Sequence, residues 1–192
     1  MRIIRKILFS LISIFLLYQA IELLRKLIIT NPDIIDFQQY IIVSFLLTLY
    51  TTGFYAFIGF AYPTSRLIST KYYVVKNEKG LKVLYSSLGI KAYRKLLLVI
   101  FWGREKNRLK YFDGSREGIH NFIFQTKQSE FGHMTAFITL FIISIILALY
   151  GHVTSLAIIL VLNIIGNLYP SILQRYHRLR LKRVTMHPRF SV

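Results

Sequence analysis

The chain has no cysteine. Disulfides, thiolate-held zinc and cysteine nucleophiles are therefore excluded from its chemistry. Acids are scarce as well, with eight Asp and Glu against 25 Lys and Arg, a formal charge of +17. No internal repeat and no low-complexity linker interrupts the sequence. What is plentiful is apolar: 54% of the residues are hydrophobic and the mean hydropathy is +0.48. A soluble domain of this size seldom combines such apolarity with such basicity. Long apolar runs bordered by Lys and Arg mark helical membrane proteins.

Four runs suffice to span a bilayer, near residues 7–29, 40–62, 134–150 and 153–173. A helix needs about 20 residues to cross the hydrocarbon core. The third run is short, so its helix is expected to begin near His133 or to lie untilted. The first run carries Glu22, Arg25 and Lys26 near its end, spaced to pair with one another or to snorkel. Arg2, Arg5 and Lys6 before an apolar run also look like a secretory signal. The run outlasts a signal core and shows no small-x-small cleavage site, so an uncleaved first span is expected.

Charge then orients the spans. Residues 30–39 hold Asp33 and Asp36 but no base, and the Gly151-His152 turn holds neither sign. Residues 64–132, by contrast, contain fourteen bases against five acids, and the tail after Leu173 adds six bases and no acid. If all four runs cross, every basic region falls on one side, as the positive-inside rule requires. The expectation is an all-α integral membrane protein forming a single membrane domain over 1–192. It would lie in the cell's inner or plasma membrane with both termini cytoplasmic, a basic cytoplasmic segment 64–132 and a basic tail 174–192.

Residues 64–132 are too many for an ordinary connection. Residues 71–75 and 81–85 are β-prone and flank Lys76-Asn77-Glu78-Lys79-Gly80, which predicts a small hairpin. Residues 91–102 place Tyr93, Leu96, Leu97, Ile100 and Phe101 at helical spacing among bases. That pattern suits an interfacial or re-entrant helix with Trp102 near headgroup depth. A basic run at 104–110, a turn at Asp113-Gly114 and a further helix over 119–133 follow. The bases track topology and no nucleic-acid motif accompanies them, so anionic lipid is the expected partner and nucleic acid is not.

Glu130 and His133 lie three residues apart, on one face of a helix. A near-neutral histidine can take a hydroxyl proton, and a carboxylate can orient it. Taken by itself, the pair reads more simply as a polar helix end at the interface. A Glu-x-x-His di-iron site needs a second such pair and more carboxylates. His120, His152, His177 and His187 have no partner at that spacing, so no metal is expected. Asn163 and Asn167 sit four apart in the fourth run, where interhelical bonding is the plain reading and a donor aimed at substrate the functional one. Pro170 is expected to kink or end that helix. The segment Gln174-Arg175-Tyr176-His177-Arg178-Leu179-Arg180 is basic enough to be merely topogenic, yet its arginines also suit phosphates.

The order of these residues resembles the bacterial glycosyl-diaponeurosporenoate acyltransferases of staphyloxanthin-type carotenoid synthesis. The likeness begins at 67–75 and 88–95. It continues through Phe101, Arg104, Lys106, Leu109 and Asp113-Gly114, then Ile123, Thr126-Lys127, Glu130 and His133. It is closest in Asn167, Pro170, Gln174-Arg175-Tyr176, Arg178 and Arg180-Leu181. Met134 stands where the family usually has Trp, and His177 and Leu179 where its tail has Asn and Pro. Span two looks like an addition.

The resemblance implies transfer of a fatty acyl group to a hydroxyl of a membrane glycolipid, a carotenoid glycoside or similar. His133 would be the base and Glu130 its support. Arg175, Asn167 or Tyr176 would stabilise the oxyanion, Arg178 and Arg180 would hold donor phosphates, and Gln174 would line the substrate site. Acyl-CoA or acyl-carrier protein would be the donor, with no resident cofactor. The competing class is a non-catalytic scaffold or accessory subunit that binds anionic lipid. A transporter fits less well, because it would want polar residues near mid-membrane in several spans.

Overall fold

Every regular element in the computed structural model is helical, and the structure describes residues 2–100 and 116–185. We number the helices α1 (Arg2–Ile29), α2 (Phe37–Ala61), α3 (Glu78–Ser87), α4 (Ile90–Ile100), α5 (Arg116–Leu149), α6 (Val153–Asn163) and α7 (Tyr169–Thr185). Four segments are long and apolar enough to cross a membrane: Ile3–Ile29, Phe37–Ala61, Gly118–Leu149 and Val153–Lys182. The chain is thus a multi-pass membrane protein. Helices suit that solvent because each satisfies its own backbone where lipid offers no partner.

Two expectations are corrected. No hairpin forms among the described residues. Thr70–Tyr73 is a short 3-10 turn and Glu78–Ser87 is α3. Leu81, Leu84, Tyr85 and Leu88 repeat at i, i+3, i+4 and i+7, a helical stripe. Asn77 caps the helix by accepting from the Gly80 N–H at 2.7 Å. The separate helix expected over 119–133 does not stop at His133 but runs on into the third span as the single α5. Trp102, the 104–110 basic run, the Asp113-Gly114 turn and His187 lie outside the described residues.

The chain divides into two compact units, Met1–Thr64 with Phe131–Leu168, and Ser65–Glu130 with Tyr169–Val192. In the first, α1 and α2 form a hairpin around the loop at Asn31 to Asp36. Asp36 and Gln39 make a reciprocal capping box that starts α2. A Cβ on Gly53 would stand 2.9 Å from Leu16 Cδ1, so glycine there permits the close approach of the two helices. Ala20, Leu27, Leu47, Leu140, Leu147 and Ile159 make the apolar core. Small polar residues are buried with them, among them Ser13, Ser144 and Ser155 at 0% exposure, while Ile4, Ile14 and Phe45 face outward. That inversion is how helices associate in lipid, by close packing and hydrogen bonds rather than by hiding apolar surface. Gly151, at φ +89°, closes α5: His152 N–H reaches the Leu147 carbonyl and Gly151 N–H reaches Ala148. This is a Schellman turn, which needs a left-handed residue.

In the second unit, α3 and α4 pack on α7. Tyr85 stacks on Tyr176 with ring centroids 3.8 Å apart and planes 12° apart, and Tyr93 meets Tyr169 edge-on at 5.4 Å. Lys182 pairs with Glu78 at 3.1 Å. Gly89, at φ +64°, makes the turn between α3 and α4. Helix α4 realises the amphipathic segment expected at 91–102, up to Ile100.

Candidate functional site

Within the first unit, the polar side chains of three helices converge on Asn167. Helix α6 gives way at Asn163 to a π-helical turn, Ile164–Leu168, before α7 resumes. Pro170 therefore does not end the helix. Its nitrogen carries no hydrogen to return to the Gly166 carbonyl, and a π turn is where a helix commonly absorbs such a mismatch. Asn163 and Asn167 are both fully buried.

The hydrogen bonds form a chain whose direction is set at one end. Asn163 Nδ2 donates to the main-chain carbonyl of Phe137 on α5 at 2.9 Å, a group that can only accept. Asn163 Oδ1 is then an acceptor, and takes a bond from Asn167 Nδ2 at 3.0 Å. Asn167 Nδ2 also donates to Thr52 Oγ1 on α2 at 3.0 Å, so both of its hydrogens are engaged. Asn167 Oδ1 must accept, and it lies 3.1 Å from His133 Nδ1. His133 Nδ1 therefore carries the proton. In the neutral ring Nε2 is the basic nitrogen. A turn away, the Tyr55 hydroxyl bonds Thr139 Oγ1 at 2.8 Å. Gly132 of α5 faces the backbone of α2, where a Cβ would make an ordinary contact with the Tyr55 carbonyl at 3.6 Å.

Within the second unit, Glu130 is fully buried and both of its oxygens are held by arginines. Arg175 Nε donates to Oε1 at 2.6 Å, and Arg178 Nη2 donates to Oε2. Arg175 lies over the Tyr72 ring at 4.7 Å and Arg178 over Tyr73 at 5.5 Å. The Tyr73 hydroxyl donates to the Ser65 carbonyl at 3.0 Å, and the Gln128 side chain accepts from Ser65 N–H at 3.1 Å. Burial, and then the charge of Glu130, raise both tyrosines, Tyr73 to about 12. Their phenols stay protonated at neutral pH and do not act as bases.

The residues singled out from sequence thus fall into two sets. His133 and Asn167 are joined in one, and Glu130, Arg175 and Arg178 in the other. Tyr176 is engaged in its stack with Tyr85, Gln174 is half-buried on α7, and Arg180 is exposed. Sequence reasoning passed over Thr52, Tyr72, Tyr73 and Arg94. Thr52 stands in the run Tyr50-Thr51-Thr52 at mid-span, a polar signal in itself. Only helix packing selects which hydroxyl faces Asn167. Tyr72 and Tyr73 were read as strand.

Chemically, the molecule is a helical membrane protein that holds a half-buried histidine by its Nδ1 in one unit and buries a carboxylate clamped by two arginines in the other. Residues 69–187, more than half of the chain, match the family of glycosyl-4,4'-diaponeurosporenoate acyltransferases, and the chain belongs to that family. The match includes His133, Asn167 and the arginines of α7; α1 and α2, with Thr52, lie before it. No curated protein and no solved structure matches the chain.

Proposed function

We propose that this protein transfers a fatty acyl group from a cytosolic thioester, acyl-CoA or acyl-carrier protein, to a hydroxyl of a membrane glycolipid such as a carotenoid glycoside. The observation that carries this reading is the hydrogen-bond chain from the Phe137 carbonyl through Asn163 and Asn167 to His133 Nδ1. It leaves Nε2 as the base. His133 Nε2 removes the proton of the acceptor hydroxyl as its oxygen attacks the thioester carbonyl. The tetrahedral intermediate collapses, the carbon–sulfur bond breaks, and the imidazolium returns the proton to the departing thiolate. Ester and free thiol are the products. Asn167 is a positioning residue, because both of its N–H groups are committed and its oxygen holds the ring.

The fourteen bases of residues 64–132 and the six of the tail support a cytoplasmic face for the termini, where such donors are found. Glu130 fixes Arg175 and Arg178 rather than serving as a proton carrier.

The test uses purified protein in nanodiscs, radiolabelled palmitoyl-CoA, and a total lipid extract from the native host. Label entering a glycolipid with wild type, and not with His133→Ala, is the expected result. Should neither palmitoyl-CoA nor an acyl-carrier protein yield product, the non-catalytic lipid-binding scaffold becomes the better reading.

A further inference from the structure

Arg178 is 7% exposed, and its bonds can be followed one by one. Nη2 meets Glu130 and Nε meets the Tyr73 carbonyl at 3.4 Å, while the buried Nη1 finds no partner among the described residues. Arg94, on α4, likewise has a buried Nε without a partner. Leaving a buried charged donor unpaired is costly, because its desolvation goes uncompensated. Two such donors in one small unit are therefore unusual.

They belong to one cluster of charge. Arg94, Arg178 and Arg180 all act electrostatically on His177, and Arg94 and Arg180 both act on Tyr85, the ring stacked on Tyr176. Arg178 and Arg180 come from α7, and Arg94 is brought to them by the packing of α4 on that helix. The acids described in this unit are already engaged: Glu130 is shared by Arg175 and Arg178, and Glu78 is taken by Lys182. Among the described side chains, the guanidiniums outnumber the carboxylate that serves them.

We propose that Arg94, Arg178 and Arg180 form a binding site for a phosphate-bearing ligand, with the unpaired Arg178 Nη1 and Arg94 Nε as donors. A guanidinium presents paired N–H groups that match phosphate oxygens, and three of them suit an anion carrying more than one negative charge. The phosphate belongs either to the nucleotide portion of the acyl donor or to the headgroup of an anionic phospholipid. The first source deepens the acyl-transfer reading and rests on it; the site itself does not.

The test is binding to the full chain in nanodiscs of neutral phosphatidylcholine. Inorganic diphosphate and unacylated coenzyme A are titrated separately by calorimetry, and nanodiscs doped with phosphatidylglycerol form the third arm. Saturable binding is expected in at least one arm, weakened roughly tenfold or more by Arg94→Gln and by Arg180→Gln. The exposed Lys71→Gln, outside the cluster, should bind as wild type does. Arg178 is left intact because it also holds Glu130. Coenzyme A displacing diphosphate identifies the donor as the source, and phosphatidylglycerol suppressing it identifies the headgroup. No binding in any arm, or equal weakening by Lys71→Gln and Arg94→Gln, overturns the site. Binding without any acyl transfer would sustain the site while sinking the enzymatic reading.

Discussion

Glu130 and His133 are neighbours on one helix, yet their surroundings have little in common. Glu130 is enclosed by cations and gains its stability from charge: two guanidiniums hold its two oxygens. His133 is enclosed by neutral amides and hydroxyls, and its ring is held by a directional hydrogen-bond chain. The first arrangement leaves neither carboxylate oxygen free for proton transfer, because each is held by a guanidinium. The second prepares it, because the tautomer is set while one nitrogen remains basic. Spacing on a helix face predicts that two side chains are close. It does not predict which of them will choose another partner.

The sharpest way to break this contrast is His133→Ala. Acyl transfer should fall by about a hundredfold or more while the thermal melt in nanodiscs stays near wild type. Retained transfer would remove His133 from the chemistry. Glu130→Ala should do the reverse in kind, lowering stability by about 3 kcal/mol because the buried Arg178 and the half-buried Arg175 lose their counter-charge. Combining Glu130→Leu with Arg175→Met and Arg178→Met should recover much of that loss. A melt unmoved by Glu130→Ala would mean that the ion cluster is not what holds the second unit.

Asn167→Leu should reduce kcat by about tenfold with a smaller change in KM, since the ring loses its tether but not its base. A direct readout is the nitrogen NMR spectrum of His133. Wild type should show the Nδ1–H form, and the variant a mixture of tautomers. A spectrum unchanged by Asn167→Leu would contradict the relay. Thr52→Val removes one acceptor of the Asn167 amide and should lower kcat by only a few-fold.

The smallest effect concerns Tyr73, whose phenol is raised to about 12 by burial and by Glu130. A raised phenol pKa favours the neutral form in the fold. Its stabilising contribution is intact below the unfolded value near 10 and is lost as pH climbs from there toward 12. Melts of wild type and Tyr73→Phe should therefore differ by a constant offset up to about pH 10, from the lost bond to the Ser65 carbonyl, and by a narrowing amount above it. A difference that already drifts with pH near neutrality would show that another group titrates there.

Membrane architecture was legible because a bilayer imposes a one-dimensional rule: about 20 apolar residues per crossing. The runs at 7–29 and 40–62 correspond to the first two membrane-spanning segments. Helix α3 was misread although its cap and stripe were present, because β-prone residues in a short window outweighed the periodicity. The join at His133 was hidden by composition, since the polar first half of α5 and its apolar second half look like separate elements. The candidate residues His133, Asn167, Glu130, Arg175 and Arg178 were all visible as polar groups near membrane-spanning runs.

Sequence by itself determined the class of the molecule, its family likeness and the cast of polar residues, because each depends on composition and order along the chain. Tertiary structure decided the partnerships. It joined Asn167 to His133 and Thr52, gave Glu130 to Arg175 and Arg178, and brought Arg94 to α7. Those choices depend on distances of about 3 Å between residues far apart in sequence. Hydrogen bonds and ion pairs are short-ranged and directional, so only packed helices can select among the partners that a sequence offers.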